Sequence, residues 1–389
     1  MKFSVNNLGP IISADIEFDN SVVIVGPNSS GKTFLSTAFY LINSSLSLPI
    51  PILPKPKGPI NFKEGISKVE LNTEDFVDEE AISEYFKRAT EYIFNSSPQN
   101  LITIGEDKCV IENDNIRLII SSDGSVKAKI KDYKKVSIEI EYKEVSDPHF
   151  CTYNISNKII VVGNLECLRQ AISNFAFRAI LTNEELLPMA FLSIERVSFL
   201  SLYSLISSQI YSALLARPLA LDFLKWLSPT VHEEEFYKVK LVVEHPTKIR
   251  AMIKDKEIPI SLLSSGLGQL SILEFLVRNP ILKSLVIEEP EINLHDDMQI
   301  KLGKYLAKNA SKKMFITTHS EWFTMSFAYH LRNLRIFELR EKEENLFEAK
   351  EVEVYEDGSI GELQSIHKPH DKFLNEMIEN ILKYGETDK

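Results

Sequence analysis

The sequence predicts an α/β fold whose sheet contains both parallel and antiparallel strands, and three observations predict it. A short apolar strand, SVVIV at 21–25, runs through a glycine-rich turn into a helix. Apolar and polar residues alternate with period two between about 100 and 162, which is typical of an antiparallel β-meander. Strands and helices alternate again after residue 280, which favours a largely parallel sheet.

Length and composition are those of a folded chain with an acidic surface. The 389 residues are 44% hydrophobic and 25% charged, with a net charge of -11. This charge argues against a generally basic nucleic-acid coat and leaves room for a local basic groove. Cys109, Cys151 and Cys167 form no CxxC pair, which predicts isolated thiols rather than a disulfide framework or a zinc site. We therefore expect a cytoplasmic protein.

One uncharged stretch, 197–216, approaches the length of a membrane span. It contains six serines and Gln209, and charged residues flank it closely. Because hydroxyl groups make a poor lipid-facing surface, the stretch is interpreted as a buried helix or helix pair, and no membrane partner is expected.

The chain is predicted to fall into three parts. Residues 1–163 contain the first strands and the meander. Residues 164–280 change to an apolar spacing of three and four, which predicts a mainly helical lobe. Residues 281–389 return to alternating strands and helices, with a charged tail, and would complete the core begun by the first part.

The motif GPNSSGKT fits G-x-x-x-x-G-K-[ST] and stands directly between a predicted strand and a predicted helix. Such a loop wraps around phosphate, its lysine reaches the outer phosphates, and its hydroxyl ligates magnesium. The predicted nucleotide-binding residues are Gly26, Pro27, Asn28, Ser29, Ser30, Gly31, Lys32 and Thr33. The predicted ligands are ATP and Mg²⁺, with Thr33 on the metal.

Two carboxylates, Glu288 and Glu289, follow a short apolar strand in SLVIEEPEINLH. Adjacent carboxylates at a buried strand end are costly unless a cation or a reacting water uses them. Glu288 would hold the magnesium hydration shell, and Glu289 would orient or deprotonate the attacking water. A solvated acidic loop is the alternative, and the phosphate-binding motif in the same chain argues against it.

A third strand, MFITTHS, ends at His319 about 30 residues after the acidic pair. A neutral imidazole there could hydrogen-bond the γ-phosphate or the attacking water. A lone histidine is more often structural, so its interpretation depends on the order of the motifs.

That order makes the chain resemble ABC-type ATPases of the group containing RecF, SMC and OLD (overcoming lysogenisation defect) proteins. LSSG, Leu263 to Gly266, resembles their L-S-x-G signature, VIEEPEINLH their Walker B motif and D-loop, and TTHS their H-loop. Within the group, IEEPE-x-x-LH and TTHS are most similar to compact OLD-class ATP-binding proteins. The resemblance implies an ABC-type P-loop NTPase with a helical signature lobe.

The resemblance also implies a dimer. In this group the signature serine and glycine contact the γ-phosphate of ATP held by a second subunit, so Ser264 and Gly266 would close over a partner's phosphate-binding loop. Two ATP molecules would then lie between two copies of the chain, in two identical sites. Such a role would explain why Gly266 and Gly268 stand near the start of a helix, where glycine is unfavourable.

The chain departs from the group's pattern at several positions. Leu267 occupies the usual place of Gln or Glu, with Gln269 two residues later, and Glu288 stands where many relatives have Asp. Gln99 is a candidate for the Q-loop. The pair Glu195–Arg196 is interpreted as a helix N-cap or a salt bridge.

Three functions stay open. About 230 residues separate Thr33 from Ser264, too many for a plain transporter domain and too few for an SMC coiled coil, and about 70 follow His319 without a DxD pair. No nuclease domain is therefore predicted. The first function is an ATP-hydrolysing dimeric switch in DNA repair or phage defence. The second is a nucleotide-gated module with slow or no hydrolysis that regulates a separate effector such as a nuclease, and the least favoured is a transporter ATPase.

A basic stripe in the meander raises the question of DNA binding. Lys127, Lys129 and Lys131 share one face of a predicted strand. If that strand forms a hairpin with the next one, Lys127 lies opposite Glu139, and the stripe is partly neutralised. This arrangement favours a self-paired face over a DNA groove, and the basic loop 53–63 is undecided.

Overall fold

The structure is a computed structural model. It describes residues 1–44, 62–147, 150–181, 185–196, 219, 222–223, 226, 239–244, 248–254, 256–259, 262–367 and 372–378. The uncharged stretch 197–216 and most of the basic loop 53–63 lie outside these residues. None of the described helices is long and apolar enough to cross a membrane.

Strands outnumber helices in the described part of the chain. In chain order the elements are β1 (Lys2–Leu8), β2 (Ile11–Glu17), β3 (Ser21–Val25), α1 (Lys32–Ser44), β4 (Gly65–Asn72), α2 (Glu79–Phe94), β5 (Lys108–Asn113), β6 (Ile116–Ser121), β7 (Val126–Ile130), β8 (Lys135–Glu144), β9 (Cys151–Ile155), β10 (Lys158–Gly163), α3 (Leu165–Leu181), β11 (Met189–Leu192), β12 (Val239–Glu244), β13 (Lys248–Ile253), β14 (Lys256–Ile258), α4 (Ser265–Arg278), β15 (Ser284–Glu288), α5 (Asp296–Lys308), β16 (Lys313–Thr318), α6 (Glu321–His330), β17 (Leu334–Glu343) and β18 (Leu346–Val352).

The chain forms two compact units that alternate along the sequence. The first unit contains Met1–Leu8 and Thr37–Leu187, and the second contains Gly9–Ser36 and Pro188–Lys389. The three-part division of the sequence into 1–163, 164–280 and 281–389 stays a prediction.

The first unit contains two groups of strands. β1, β5, β6 and β7 pair in that order, all antiparallel, and β4, β8, β10 and β9 form a second sheet. Side chains of α2 cover the last strand of the first group: Ser83 Oγ accepts from the N–H of Ala128 at 2.9 Å, and Glu79 Oε1 accepts from the N–H of Ile130 at 3.3 Å. These bonds satisfy donors that a sheet edge would otherwise leave open.

The hairpin considered between β7 and β8 is not formed. Lys127 lies opposite Ile119 of β6, whereas Glu139 lies opposite Lys68 of β4 and Lys158 of β10. β8 pairs with β4 over eight positions. β7 has only five residues and could not pair with β8 over so many positions. Glu139 therefore does not lie opposite Lys127, and it does not neutralise the charge of this lysine by cross-strand pairing.

The expectation of isolated thiols is wrong for two of the three cysteines. Cys151 in β9 and Cys167 in α3 form a disulfide across a sequence separation of 16 residues. α3 packs against β9, and this contact between a strand and the second element after it is not visible in the cysteine spacing. Cys109 is free and buried, and burial raises the pKa of its thiol to about 12.

The second unit confirms the predicted α/β fold with a mixed sheet. Its strands pair in the order β11, β15, β16, β3, β17, β18, β2. The first five run parallel, and β18 is antiparallel to β17. β3 and β15 are buried along their whole length, which explains their continuous apolar sequences. Because parallel strands end at one edge, the loops after β3, β15 and β16 meet there.

Two helices of this unit pack unusually closely. α5 follows the loop after β15, and α6 follows the loop after β16. A Cβ added to Gly303 of α5 would lie 2.8 Å from the backbone nitrogen of Phe327 and 2.9 Å from the carbonyl oxygen of Phe323. Only a residue without a side chain permits this approach of the two backbones.

Candidate functional site

The loop between β3 and α1 forms one wall of a cavity of about 430 Å³. Gly31 adopts a φ of +94°, and a Cβ there would lie 2.7 Å from Ile11, so the loop requires glycine at this position. Ser30 Oγ donates to the carbonyl of Pro27 at 2.8 Å and holds the loop together. The cavity is lined by Pro10, Asn28, Ser29, Ser30, Gly31, Lys32, Thr33, Phe34, Glu289 and His319. It therefore joins the loop motif to two of the residues predicted for hydrolysis.

Lys32 is folded back onto its own loop. Its Nζ donates to the carbonyl oxygens of Gly26 at 2.9 Å and Pro27 at 2.8 Å, and lies 3.4 Å from His319 Nδ1. Burial lowers the pKa of Lys32 to about 8, against the opposing effect of the nearby Glu289 charge. Phosphate oxygens entering the cavity would offer this ammonium stronger acceptors than the two carbonyls.

Glu288 ends β15 and is almost fully buried, at 1% exposure. Its Oε1 accepts from Ser36 Oγ at 2.8 Å. Ser36 lies one turn after Thr33 on α1, and its hydroxyl is also 3.0 Å from the carbonyl of Thr33. Glu288 is thus linked to the turn of α1 that contains Thr33. Ser36 was not predicted from the sequence, because its partner Glu288 lies 252 positions away.

The oxygen donors at this end of α1 fit magnesium. Mg²⁺ prefers oxygen ligands and keeps several waters, so one hydroxyl and one carboxylate suffice from the protein. Thr33 and Glu288 would supply these two groups. The described residues contain no cluster of three or more His, Cys, Asp or Glu that could hold a metal by itself.

Glu289 adopts a backbone conformation that is rare for a residue with a side chain, with a φ of +44°. Its N–H donates to the carbonyl of Thr317 at 2.8 Å. Its carboxylate Oε1 lies 3.3 Å from His319 Nε2. The hydrogen bond with His319 lowers the pKa of Glu289, so its carboxylate is ionised at neutral pH and able to accept a proton.

His319 is held through its backbone as well as its ring. Its N–H donates to Glu291 Oε1 at 2.7 Å. Glu291 is 7% exposed, and burial raises its pKa. Glu291 was not predicted as a site residue, although it is the third carboxylate of the EEPE run.

Arg196 is fully buried and contacts the acidic pair from the backbone side. Its Nη1 donates to the carbonyl oxygens of Ser193 at 2.9 Å and Glu288 at 2.7 Å, and its Nη2 donates to that of Glu289 at 2.9 Å. Burial lowers its pKa to about 10. The interpretation as a helix N-cap or a salt bridge is wrong for Arg196, because its guanidinium bonds to backbone carbonyls.

The predicted signature begins α4. Ser264 is the N-cap, and its Oγ accepts from the N–H of Leu267 at 3.4 Å. A Cβ on Gly266 would lie 3.0 Å from the carbonyl oxygen of Asn293 and 3.1 Å from Leu294, in the loop that follows the acidic pair. Gly266 therefore already has a packing reason within its own chain. Leu267 packs against the hydrophobic core of the unit.

The remaining candidate, Gln99, lies in the first unit. It belongs to the short 3₁₀ turn Pro98–Leu101. Its side-chain oxygen lies so close to Gly124 that a Cβ added to this glycine would be only 2.8 Å away. Its assignment to a Q-loop stays a prediction.

Comparison with known proteins gives one family match. Residues 209–324 match the family model of the AAA ATPase domain. The matched region contains the signature, the acidic pair and His319. It supports the predicted ABC-type P-loop ATPase, while the OLD-class assignment stays a prediction. No curated protein matches the chain.

Three solved structures illustrate its remote similarities. The SMC head bound to the C-terminal winged-helix domain of ScpA is 14% identical, with a TM-score of 0.42 over 90% of this chain and 97% of that one. The Thermotoga maritima SMC head is 12% identical, with a TM-score of 0.38 over 91% and 98%. The Pyrococcus furiosus Smc head with an extended coiled coil, bound to the C-terminal domain of ScpA, is 12% identical, with a TM-score of 0.40 over 97% and 98%. At such low scores no residue role is carried over from them.

Proposed function

We propose that the chain binds ATP with Mg²⁺ in the cavity beside the phosphate-binding loop and hydrolyses it. The observation that carries the proposal is the joint lining of this cavity by Lys32, Glu289 and His319, which follow three different strands. A lysine for phosphate, an ionised carboxylate and an imidazole are the groups that such a hydrolysis requires.

The reaction divides the work among these groups. Lys32 leaves the carbonyls of its own loop and binds the outer phosphates, and backbone N–H groups of the loop bind the rest. Thr33 and Glu288 would hold Mg²⁺, which when bound would neutralise charge on the phosphate oxygens. Glu289 accepts a proton from the attacking water, whose oxygen bonds to the γ-phosphorus as the bond to the bridging oxygen of ADP breaks. His319 orients Glu289 through the contact between its Nε2 and the carboxylate.

We also propose that two copies form a dimer with ATP between them. Ser264 and Gly266 of each copy would contact the γ-phosphate bound by the other. The position of this signature supports the proposal: its serine caps α4, and α4 begins against the loop at Asn293 that follows the acidic pair. Helix N-termini favour anions. The wider proposal is action in DNA repair or phage defence, alone or with a separate effector such as a nuclease.

One variant tests hydrolysis and dimerisation together. Glu289→Gln should lower kcat about 100-fold or more and leave ATP affinity within about threefold, because it removes the proton acceptor and preserves the side-chain shape. With ATP and Mg²⁺ its mass in multi-angle light scattering should double. Adding Ser264→Arg should return the mass to that of a monomer that still binds ATP. Glu344→Gln, an exposed residue between β17 and β18, is the matched control.

The outcomes separate the proposals. Wild-type chain that binds ATP without turnover would refute hydrolysis and favour the nucleotide-gated module, a function with which the half-buried Leu267 in the signature is compatible. An unchanged mass of the Glu289→Gln variant would refute the dimer alone.

A further inference from the structure

The charge of Arg196 is costly at its position. The side chain is 0% exposed, four residues after the end of β11. A buried charge is unfavourable unless hydrogen bonds and nearby opposite charges compensate it, and an apolar side chain of similar size often serves packing as well or better. Packing alone therefore does not explain why a guanidinium is buried at this position.

The contacts of Arg196 point to the Glu288–Glu289 turn. Two of its three hydrogen bonds end on the carbonyl oxygens of these two consecutive residues, at 2.7 and 2.9 Å. The third ends on Ser193 and anchors the guanidinium to the segment after β11. A planar guanidinium can hold several acceptors at fixed relative positions, whereas a lysine ammonium cannot reproduce this fork.

The turn that Arg196 holds is one that the chain does not adopt readily. Glu289 has a φ of +44°, in the left-handed region that L-residues rarely occupy. The surrounding structure must therefore hold this conformation. The Thr317 carbonyl binds the N–H of Glu289, and Arg196 binds its carbonyl, so both ends of the residue are fixed. The direction of the carboxylate towards His319 depends on this backbone conformation.

We infer that Arg196 is a positioning residue: its guanidinium fixes the Glu288–Glu289 turn in the conformation that directs the Glu289 carboxylate into the nucleotide cavity. This inference rests on the proposed ATP hydrolysis. In this inference Arg196 does not contact ATP. It affects hydrolysis only by positioning Glu289.

Two substitutions test the inference by separating turnover from binding. Arg196→Met keeps the side-chain length and removes all donors, and Arg196→Lys keeps the charge and loses the fork. Each should lower kcat about 30- to 100-fold, because small displacements of a catalytic group have effects of this size. The affinity for a fluorescent ATP analogue with Mg²⁺ should stay within about threefold. Arg335→Met is the matched control, since Arg335 pairs with Glu17 and Glu351 and does not line the cavity.

A double-mutant cycle supplies the decisive readout. If Arg196 acts through Glu289, then Arg196→Met should lower the residual rate of the Glu289→Gln variant by less than about twofold, because the group it positions is already absent. A role in general packing would instead lower ATP binding and the residual rate together.

Each outcome has one interpretation. The inference is overturned by unchanged kcat in folded Arg196 variants, by a parallel loss of ATP affinity, or by a full additional loss in the Glu289→Gln background. Where Arg196→Met does not fold, Arg196→Lys carries the same cycle. Wild-type chain that binds but does not hydrolyse ATP refutes the proposed function and the inference with it, whereas a hydrolysing wild type with unaffected variants refutes the inference alone.

Discussion

ATP binding should be coupled to proton uptake by Lys32. The pKa of its buried ammonium is lowered to about 8, so at pH 8 about half of the nucleotide-free molecules lack this proton. ATP phosphates favour the charged form and raise the pKa on binding. Binding at pH 8 should therefore take up about 0.5 proton, and at pH 7 only about 0.1.

The same linkage sets the pH dependence of affinity. Because the pKa of Lys32 is higher in the complex, affinity is near its maximum below pH 8 and decreases as pH rises through this value. Between pH 7 and pH 9 the Kd should increase about tenfold, equivalent to about 1.4 kcal/mol. By pH 8 the increase should be only about twofold.

Titration calorimetry measures both quantities. The observed enthalpy at pH 8, plotted against the ionisation enthalpy of several buffers, gives the number of protons taken up. Lys32→Arg is the control, because a guanidinium keeps its proton throughout this range and should show no uptake. A flat Kd from pH 7 to pH 9 in the wild type would refute the linkage. Equal uptake by the Lys32→Arg variant would assign the proton to another group.

Two further predictions concern stability. Gly303→Ala should lower the free energy of unfolding by about 1–2 kcal/mol despite the better helix propensity of Ala, because the new methyl meets α6 backbone atoms under 3.0 Å away. Thermal melting checks it with Gly361→Ala as the control, where the nearest atom lies at 3.5 Å; equal melting temperatures would contradict the close packing. Reduction of the Cys151–Cys167 disulfide should cost about 3 kcal/mol for its 16-residue separation. A denaturant titration with and without reductant measures this, against Cys151→Ser as an always-reduced control; superimposable curves would refute it.

Features that depend on neighbouring residues were predictable from the sequence. The strand–loop–helix around Lys32 is recognisable because the glycine spacing, the apolar strand and the helix all lie within about 30 residues. The alternation of strands and helices after residue 280 predicted a largely parallel sheet, and β15, β16 and β3 do pair in parallel. The strands that end at Glu288 and before His319 therefore end at one edge of the sheet.

Features that depend on distant partners were not predictable in the same way. The roles of Ser36 and Arg196 require contacts across 252 and 92 positions, respectively, for which a single sequence has no marker. The partner of β8 was missed for the same reason. A hairpin with β7 is the nearest pairing in the sequence, whereas β4 offers β8 a longer pairing. The disulfide spans only 16 positions, but it depends on the packing of α3 on β9, which cysteine spacing does not reveal.

The close packing at Gly303 has a mechanical consequence. α5 begins beside the loop that follows Glu289, and α6 begins directly after His319. Gln299 of α5 donates to the carbonyl of Leu294, and its amide oxygen accepts from Ser320, the N-cap of α6. Because the backbones of α5 and α6 lie close together and the Gln299 amide links them, the two helices should move as one rigid unit. A displacement of the loop after Glu289 should therefore shift His319 by a similar amount, so the acid and the imidazole would respond together to whatever binds at that loop.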